Sequence, residues 1–380
     1  MTNIKVGIFT EVYHPTINGV VVSIDTFTKE LANLGVESTV FAPSGRGARE
    51  EQGVVRIHSI PVHPDYPLPM PWFSKTFRRI SRFGLNLIHT QHPAVMGWTG
   101  LRAARRLGIP VVTTYHTLIV EYVKTHAKLL PFGPDLMRWL SREYCNRVDL
   151  VITPSPSMRR ELQKYGVTTR IEVNQTGIYL EDFRHPLDDI RGEFGIPQNH
   201  RILLFVGRLS DEKNVKMLLT ALSIISYERR DVHLLLVGDG PQRKEYERLA
   251  RYLGVDRQVT FAGFVPKEKT STLFGAVDAF VFPSTTDTQG IVIMEAMAAG
   301  IPIIAVDALG PGDIIEHEKT GLLTEDDPAE FAQAIVRVLQ NKKLASALAA
   351  NAKNEAVKYS AQETAKRQLA LYESVLEHHR

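Results

Sequence analysis

One cysteine, Cys145, stands in 380 residues, so no intramolecular disulfide can form and no cysteine-rich metal site can be built. No apolar run approaches the ~18–20 residues that a membrane-spanning helix needs, and the first residues carry no signal-peptide pattern. Net charge is also scarce: 45 Lys and Arg against 42 Asp and Glu leave +3, too little to argue for nucleic acid as a partner. The loop after the first strand-like run lacks the G-x-G-x-x-G of dinucleotide-binding turns. No Asp-x-Asp pair occurs on a suitable loop, which argues against a metal-chelated anion, and no internal repeat is evident. What remains is a globular composition, 44% hydrophobic and 23% charged, expected in the cytosol and long enough for two domains.

The apolar pattern alternates between strand-like and helix-like stretches. Lys5-Val-Gly-Ile-Phe-Thr10 reads as a parallel strand, followed by a polar loop to Gly19. A helix then places Ile24, Phe27, Leu31 and Leu34 on one face and stops at Gly35. Further strand-like runs at Val54–Ile60, Leu87–Thr90, Pro110–Tyr115 and Leu150–Thr153 extend an α/β domain over residues 1–183. Residues 184–200, charged and carrying Pro186 and Pro197, read as an interdomain connection. A second α/β domain is expected over 201–360, with a last helix over 361–380 packing back on the first. Both halves are expected to be doubly wound and to face a cleft, with ligands gathering at the carboxyl ends of the strands.

Chemistry concentrates in Pro283-Ser-Thr-Thr-Asp-Thr-Gln-Gly-Ile-Val-Ile-Met-Glu-Ala-Met-Ala-Ala-Gly300. A strand ends at Pro283, a polar loop carries Asp287, Gln289 and Gly290, and a helix starts at Ile291 and stops at Gly300. The first helical N–H groups lack partners, so this turn can hold an anion. Glu295 stands about one turn inside the helix, where its carboxylate can face the same ligand. A ligand offering both a diphosphate and sugar hydroxyls suits that mixture; an acid that merely complements the helix dipole is the plainer alternative. Arg208 and Lys213, spaced across another strand-to-helix turn, can converge on one phosphate, Arg as a fork and Lys as a point charge.

Asp287 and Glu295, with seven residues between them, resemble the acidic-x7-acidic signature of retaining glycosyltransferases of family 4, which have the two-domain GT-B fold. The resemblance runs from Gly7 to about Tyr359, and Thr286-Asp-Thr-Gln-Gly290 with Glu295-Ala-Met-Ala is closest to members that glucosylate diacylglycerol. It implies that Glu295 binds the nucleotide ribose and Asp287 the donor sugar. Asp in place of the usual Glu at 287 retracts that carboxylate by about 1.5 Å. It also implies that Gly207-Arg-Leu-Ser-Asp-Glu-Lys213 binds the diphosphate through Arg208 and Lys213. Gly19, Gly240, Val265, Gln289, Gly290 and Ile291 would contact the donor, and His116, in Tyr115-His-Thr117, would lie by the anomeric carbon. For Gly19 a turn needing positive φ is the equal alternative. Attack by the acceptor on the face from which UDP leaves is likewise implied by the resemblance.

Two stretches look unusual for a plain sheet domain. Around Lys75, Arg78 and Arg79, basic residues interleave with Phe73, Phe77 and Ile80; around Lys124, Lys128 and Trp139, with Leu129, Phe132 and Leu136. Each can be an anionic-membrane surface, or in the first case a helix burying its apolar face on the sheet. The expectation is a peripheral-membrane hexosyltransferase. It would use a UDP-sugar co-substrate, glucose foremost, with no metal or cofactor, and a lipid such as diacylglycerol as acceptor. A soluble sugar or polyol acceptor is the nearer alternative, and a nucleotide-sugar 2-epimerase the alternative of another class.

Overall fold

The computed structural model describes residues 3–16, 18–45, 47–49, 51–60, 67–70, 74–116 and 133–379, the side chains of Ser74 and Lys75 excepted. It divides into two units: residues 1–177 with 361–380, and residues 178–360.

The first unit is built on a parallel sheet of β1 (Lys5–Phe9), β2 (Glu37–Pro43), β3 (Val54–Ile57), β4 (Leu87–Thr90), β5 (Val111–Thr114), β6 (Leu150–Thr153) and β7 (Ile171–Val173). Their spatial order is β3-β2-β1-β4-β5-β6-β7. The apolar runs are continuous rather than alternating because helices cover both faces of such a sheet. Those helices are α1 (Gly19–Asn33), α2 (Ser74–Ile80), α3 (Val95–Leu107), α4 (Gly133–Cys145) and α5 (Pro156–Lys164). Asn18 caps α1 by accepting from the N–H groups of Val20 and Val21 at 3.0 and 3.1 Å. The short strands Ser59–Ile60 and Leu68–Pro69 form a separate antiparallel pair.

The second unit repeats the plan. Its parallel sheet holds β8 (Arg201–Val206), β9 (Val232–Val237), β10 (Val259–Gly263), β11 (Ala279–Phe282), β12 (Ile303–Val306) and β13 (Leu322–Thr324), in the order β10-β9-β8-β11-β12-β13. The helices here are α6 (Ile190–Phe194), α7 (Val215–Ser226), α8 (Arg243–Tyr252), α9 (Lys267–Phe274), α10 (Ile291–Ala299), α11 (Leu309–Ile314), α12 (Pro328–Gln340) and α13 (Lys342–Ala356). The stretch expected as a connection, 184–200, contains α6 and buries Ile190 and Ile196 in this unit's core. The change of unit falls earlier, between Gly177 and Ile178.

The last helix, α14 (Ala361–His378), belongs to the first unit and packs on α1, with Tyr372 and Val375 in the cluster that holds Val20, Val21, Ile24 and Leu31. Polar contacts fix its register. Asn174 donates to Gln368 Oε1 at 3.0 Å, and Tyr372 Oη lies 2.6 Å from His89 Nδ1. Each sheet reverses strand order once, between β1 and β4 and between β8 and β11. A crevice opens at such a switch point on the carboxyl edge, so the loops after these four strands are where a ligand is expected.

Candidate functional site

In the second unit the loops after β8 and β11 are stitched together. Glu212, in the turn Asp211–Lys213, offers its carbonyl to Ser284 Oγ at 3.1 Å and to Thr286 Oγ1 at 3.3 Å. Asn214, left-handed at φ 53°, ends that turn and starts α7. The result places Lys213 against Asp287: its Nζ lies 2.8 Å from Oδ1 and 2.6 Å from Oδ2. The same ammonium stands 5.8 Å from the centroid of the Phe282 ring. The two side chains are 21% and 22% exposed, shielded enough to strengthen the pair yet open to a ligand.

Gly290 occupies the cap position of α10 at φ 65°, a conformation that costs any other residue. No side chain caps this helix, and the Gly290 carbonyl takes the amides of Ile293 and Met294 at 2.9 and 3.3 Å, so those of Ile291 and Val292 are left for another acceptor. Gln289 is buried beside them. Gly310 lets the start of α11 press on the loop, since a Cβ there would meet the Asp287 carbonyl at 2.5 Å. Gly310 N–H donates to that same carbonyl at 2.7 Å. Glu295 is half-buried, and burial pushes its carboxyl up to about 7; Lys267 lowers it and Asp182 raises it further.

Arg208 is exposed, and its guanidinium meets no partner among the described residues. Packing is sufficient to require a glycine at 240, since a Cβ would meet the Leu209 carbonyl at 2.3 Å. That approach holds the β9–α8 loop against the segment after Arg208. The Val265 carbonyl accepts from Thr270 Oγ1 at 3.0 Å, at the start of α9.

In the first unit, His116 follows β5 and Gln91 follows β4, and His116 Nε2 lies 2.7 Å from Gln91 Oε1. Burial holds the imidazole well below its usual range, with His92 and His89 adding to the effect. Glu11, in the loop after β1, accepts from Met96 N–H at 2.6 Å at the head of α3. Burial pushes its carboxyl up to about 7, against the pull of backbone bonds from Met96 and Gly97. Gly19 does not have positive φ, and a Cβ there would meet nothing within 4 Å. The turn reading of that glycine is thereby corrected: neither backbone nor packing requires it. Sequence reasoning passed over Glu11, Gln91 and the Glu212 carbonyl. Glu11 and Gln91 stand within two residues of a strand's carboxyl end, a signal that could have found them.

On the outer surface, α2 buries Ile80 and exposes Arg78 and Arg79, while Arg106 of α3 lies 4.0 Å from the centroid of the Phe77 ring. The inward apolar face expected of a plain sheet helix is what Ile80 shows. Trp139 and Leu136 of α4 are 49% and 50% exposed. Lys124 and Lys128 lie outside the described residues, as does the side chain of Lys75.

Two doubly wound parallel sheets in one chain are the plan of the GT-B fold. Residues 17–182 match the family described as Glycosyltransferase Family 4, and residues 187–355 the one described as Glycosyl transferases group 1. The alpha-monoglucosyldiacylglycerol synthase of Streptococcus pneumoniae is 33% identical over 311 residues, covering 79% of this chain and 70% of that one. A GDP-mannose-dependent alpha-mannosyltransferase of Mycobacterium tuberculosis is 30% identical over 334 residues, covering 85% and 84%. The Anabaena HepE protein, solved with UDP-glucose, superposes with a TM-score of 0.78 at 20% identity, over 98% of this chain and 100% of that one. The chain belongs to glycosyltransferase family 4, a family of retaining enzymes.

Proposed function

We propose that the chain transfers glucose from UDP-glucose to a lipid acceptor at an anionic membrane surface. The observation that carries the donor half is the meeting of Lys213, Asp287 and the uncapped start of α10 at the switch point of the second sheet. One cation, one anion and the open amides of Ile291 and Val292 suit a ligand that is both a diphosphate and a polyol. Arg208 and Lys213 take the diphosphate, the α10 amides from Ile291 share its charge, and Glu295 accepts from the ribose hydroxyls. Asp287 takes a hydroxyl of the sugar, with Gln289, Gly290, Gly240 and Val265 around the donor. Because these donors are already oriented, they stabilise the negative charge that develops on the leaving diphosphate without a metal. From the first unit, Gly19 and His116 serve the same reaction.

The lipid half draws on the name of the pneumococcal relative and on charge. Arg78, Arg79, Arg82, Arg102, Arg105 and Arg106 are exposed on α2, the turn after it and α3, and none pairs with a carboxylate among the described residues. A surface this basic in a molecule of net charge +3 suits anionic headgroups, and the exposed Trp139 suits the interface. No helix of the described residues is long and apolar enough to cross a membrane, so attachment would be at the surface.

The mannosyltransferase relative favours GDP-mannose as a second reading of the donor. Radiolabelled UDP-glucose and GDP-mannose, each offered with diacylglycerol vesicles or with soluble sugars, separate the readings. Label from UDP-glucose in the organic phase supports the proposal; label only from GDP-mannose, or only in water-soluble product, replaces it.

A further inference from the structure

Gln91 is buried, 3% exposed, at the switch point of the first sheet, and its backbone N–H donates to the Phe9 carbonyl at 2.9 Å. His116 is two residues beyond β5, whose end is pinned where Tyr115 N–H donates to the Ile152 carbonyl at 2.9 Å. Neighbouring strands thus bring an amide and an imidazole together from fixed backbones. The contact is His116 Nε2 to Gln91 Oε1, 2.7 Å.

An amide oxygen only accepts, so the nitrogen facing it has to carry a proton. A neutral imidazole has one such proton, and burial keeps this ring neutral. We propose that Gln91 is a positioning residue that holds His116 in the Nε2–H tautomer, leaving the lone pair on Nδ1. Every hydrogen bond that His116 makes through Nδ1 is then one it accepts. A substrate hydroxyl meeting that nitrogen finds an acceptor, never an N–H and never a positive charge. An amide suits this task better than a carboxylate, because it satisfies Nε2–H without drawing a second proton onto the ring. The inference rests on the assignment of His116 to the reaction.

The groups facing the ring from neighbouring elements are His89 on β4 and His92 in the loop after it, both made less basic by burial. His89 is itself engaged at both nitrogens, by Tyr372 and by Thr114, so it does not compete for Gln91.

The test begins with the wild-type protein carrying 15N-labelled histidine, with His116→Ala used to assign the ring signals. A two-bond proton–nitrogen correlation at pH 7 is expected to show Nε2 protonated and Nδ1 bare, unchanged to about pH 6. A proton on Nδ1, or on both nitrogens, overturns the inference and leaves the functional reading standing. Gln91→Leu is expected to lower kcat about tenfold, the size of one hydrogen bond, with UDP affinity unchanged. Gln91→Glu separates positioning from packing. Its carboxylate favours the imidazolium and raises the pKa of His116, so activity should fall as pH falls through that new value. Activity should return above it, where the neutral Nε2–H form is restored; the wild type has no such limb. A Gln91→Glu enzyme with the wild-type pH profile and rate contradicts the proposal, and if Gln91→Leu does not fold, the other two arms still decide. Wild-type spectra as expected together with a fully active His116→Ala would instead sink the assignment of His116 to the reaction.

Discussion

Lys213 and Asp287 stand 74 residues apart in sequence, and the ammonium of one reaches both carboxylate oxygens of the other, at 2.8 and 2.6 Å. Each is also assigned a part of the donor, so donor binding has to open the pair. On the proposed assignment the diphosphate would claim Lys213, and Asp287 would be released towards the sugar. Nucleotide alone, lacking the sugar, gains the first contact without the second. Asp287→Ala should therefore bind UDP more tightly than wild type, roughly fivefold for a half-shielded ion pair, while turnover with UDP-glucose drops at least a hundredfold. Calorimetry and a transfer assay check both; a UDP affinity that falls along with turnover would mean that Asp287 touches the nucleotide itself.

If Glu295 holds the ribose as proposed, UDP binding should depend on pH. Only the ionised carboxylate accepts from both ribose hydroxyls, and burial has moved its pKa up to about 7. Below that value binding has to expel a proton, so UDP affinity should rise as pH goes from 6 to 8. The terminal phosphate of UDP titrates nearby, so Glu295→Gln serves as the reference. The difference between the two proteins is expected to widen with pH, and a constant difference would remove Glu295 from the ribose contact.

Glu11 gives stability a pH dependence of definite sign. Its folded pKa of about 7 exceeds the ordinary value of 4.5, so the folded chain holds a proton that the unfolded chain has released between those pH values. The stabilising contribution is complete below 4.5 and lost as pH rises through 7. Glu11→Gln keeps an oxygen for Met96 N–H and cannot ionise. It should be more stable than wild type at pH 8, by about 2–3 kcal/mol, and melt correspondingly higher, with little gain at pH 5. Equal melting shifts at both pH values would show that the carboxyl is not the group that titrates.

The proposed surface attachment would rest on the arginine face of α2 and α3. Near an anionic bilayer each basic residue contributes about 1 kcal/mol, so reversing Arg102, Arg105 and Arg79 to Glu should weaken vesicle binding by about two orders of magnitude or more. Sedimentation with phosphatidylglycerol against phosphatidylcholine vesicles, at rising salt, reads the effect. UDP affinity should not change. Equal binding of wild type to both lipids would favour a soluble acceptor.

The strands were legible because a sheet covered on both faces writes itself as apolar runs: Lys5–Phe9, Leu87–Thr90 and Arg201–Val206 are all where their side chains predict. The change of unit was less visible. Pro186 and Pro197 mimic a linker, yet Ile190 and Ile196 between them are core residues, carried by a helix too short to show a period. At the actual boundary, Gly177 is required because a Cβ would meet Thr364 Oγ1 at 2.3 Å, a partner 187 positions away. The candidate site divided similarly. Gly290 and the start of α10 follow from local residue order, and the spacing of Asp287 and Glu295 marked both acids. What no local pattern carries is the pairing of those residues: Lys213 with Asp287 and His116 with Gln91 arise from strand neighbours that only the fold brings together.

Binding of UDP in excess EDTA is the measurement closest to the central claim, that the loops after β8 and β11 hold a nucleotide diphosphate with side-chain cations and helix amides alone. Calorimetric titration should show one site in the wild-type protein, unaffected by the chelator. Arg208→Ala and Glu295→Ala should each weaken it about ten- to hundredfold, the loss of a charge-assisted hydrogen bond. Binding that disappears in EDTA and returns with magnesium or manganese, or that both variants retain in full while still folded, would contradict that assignment.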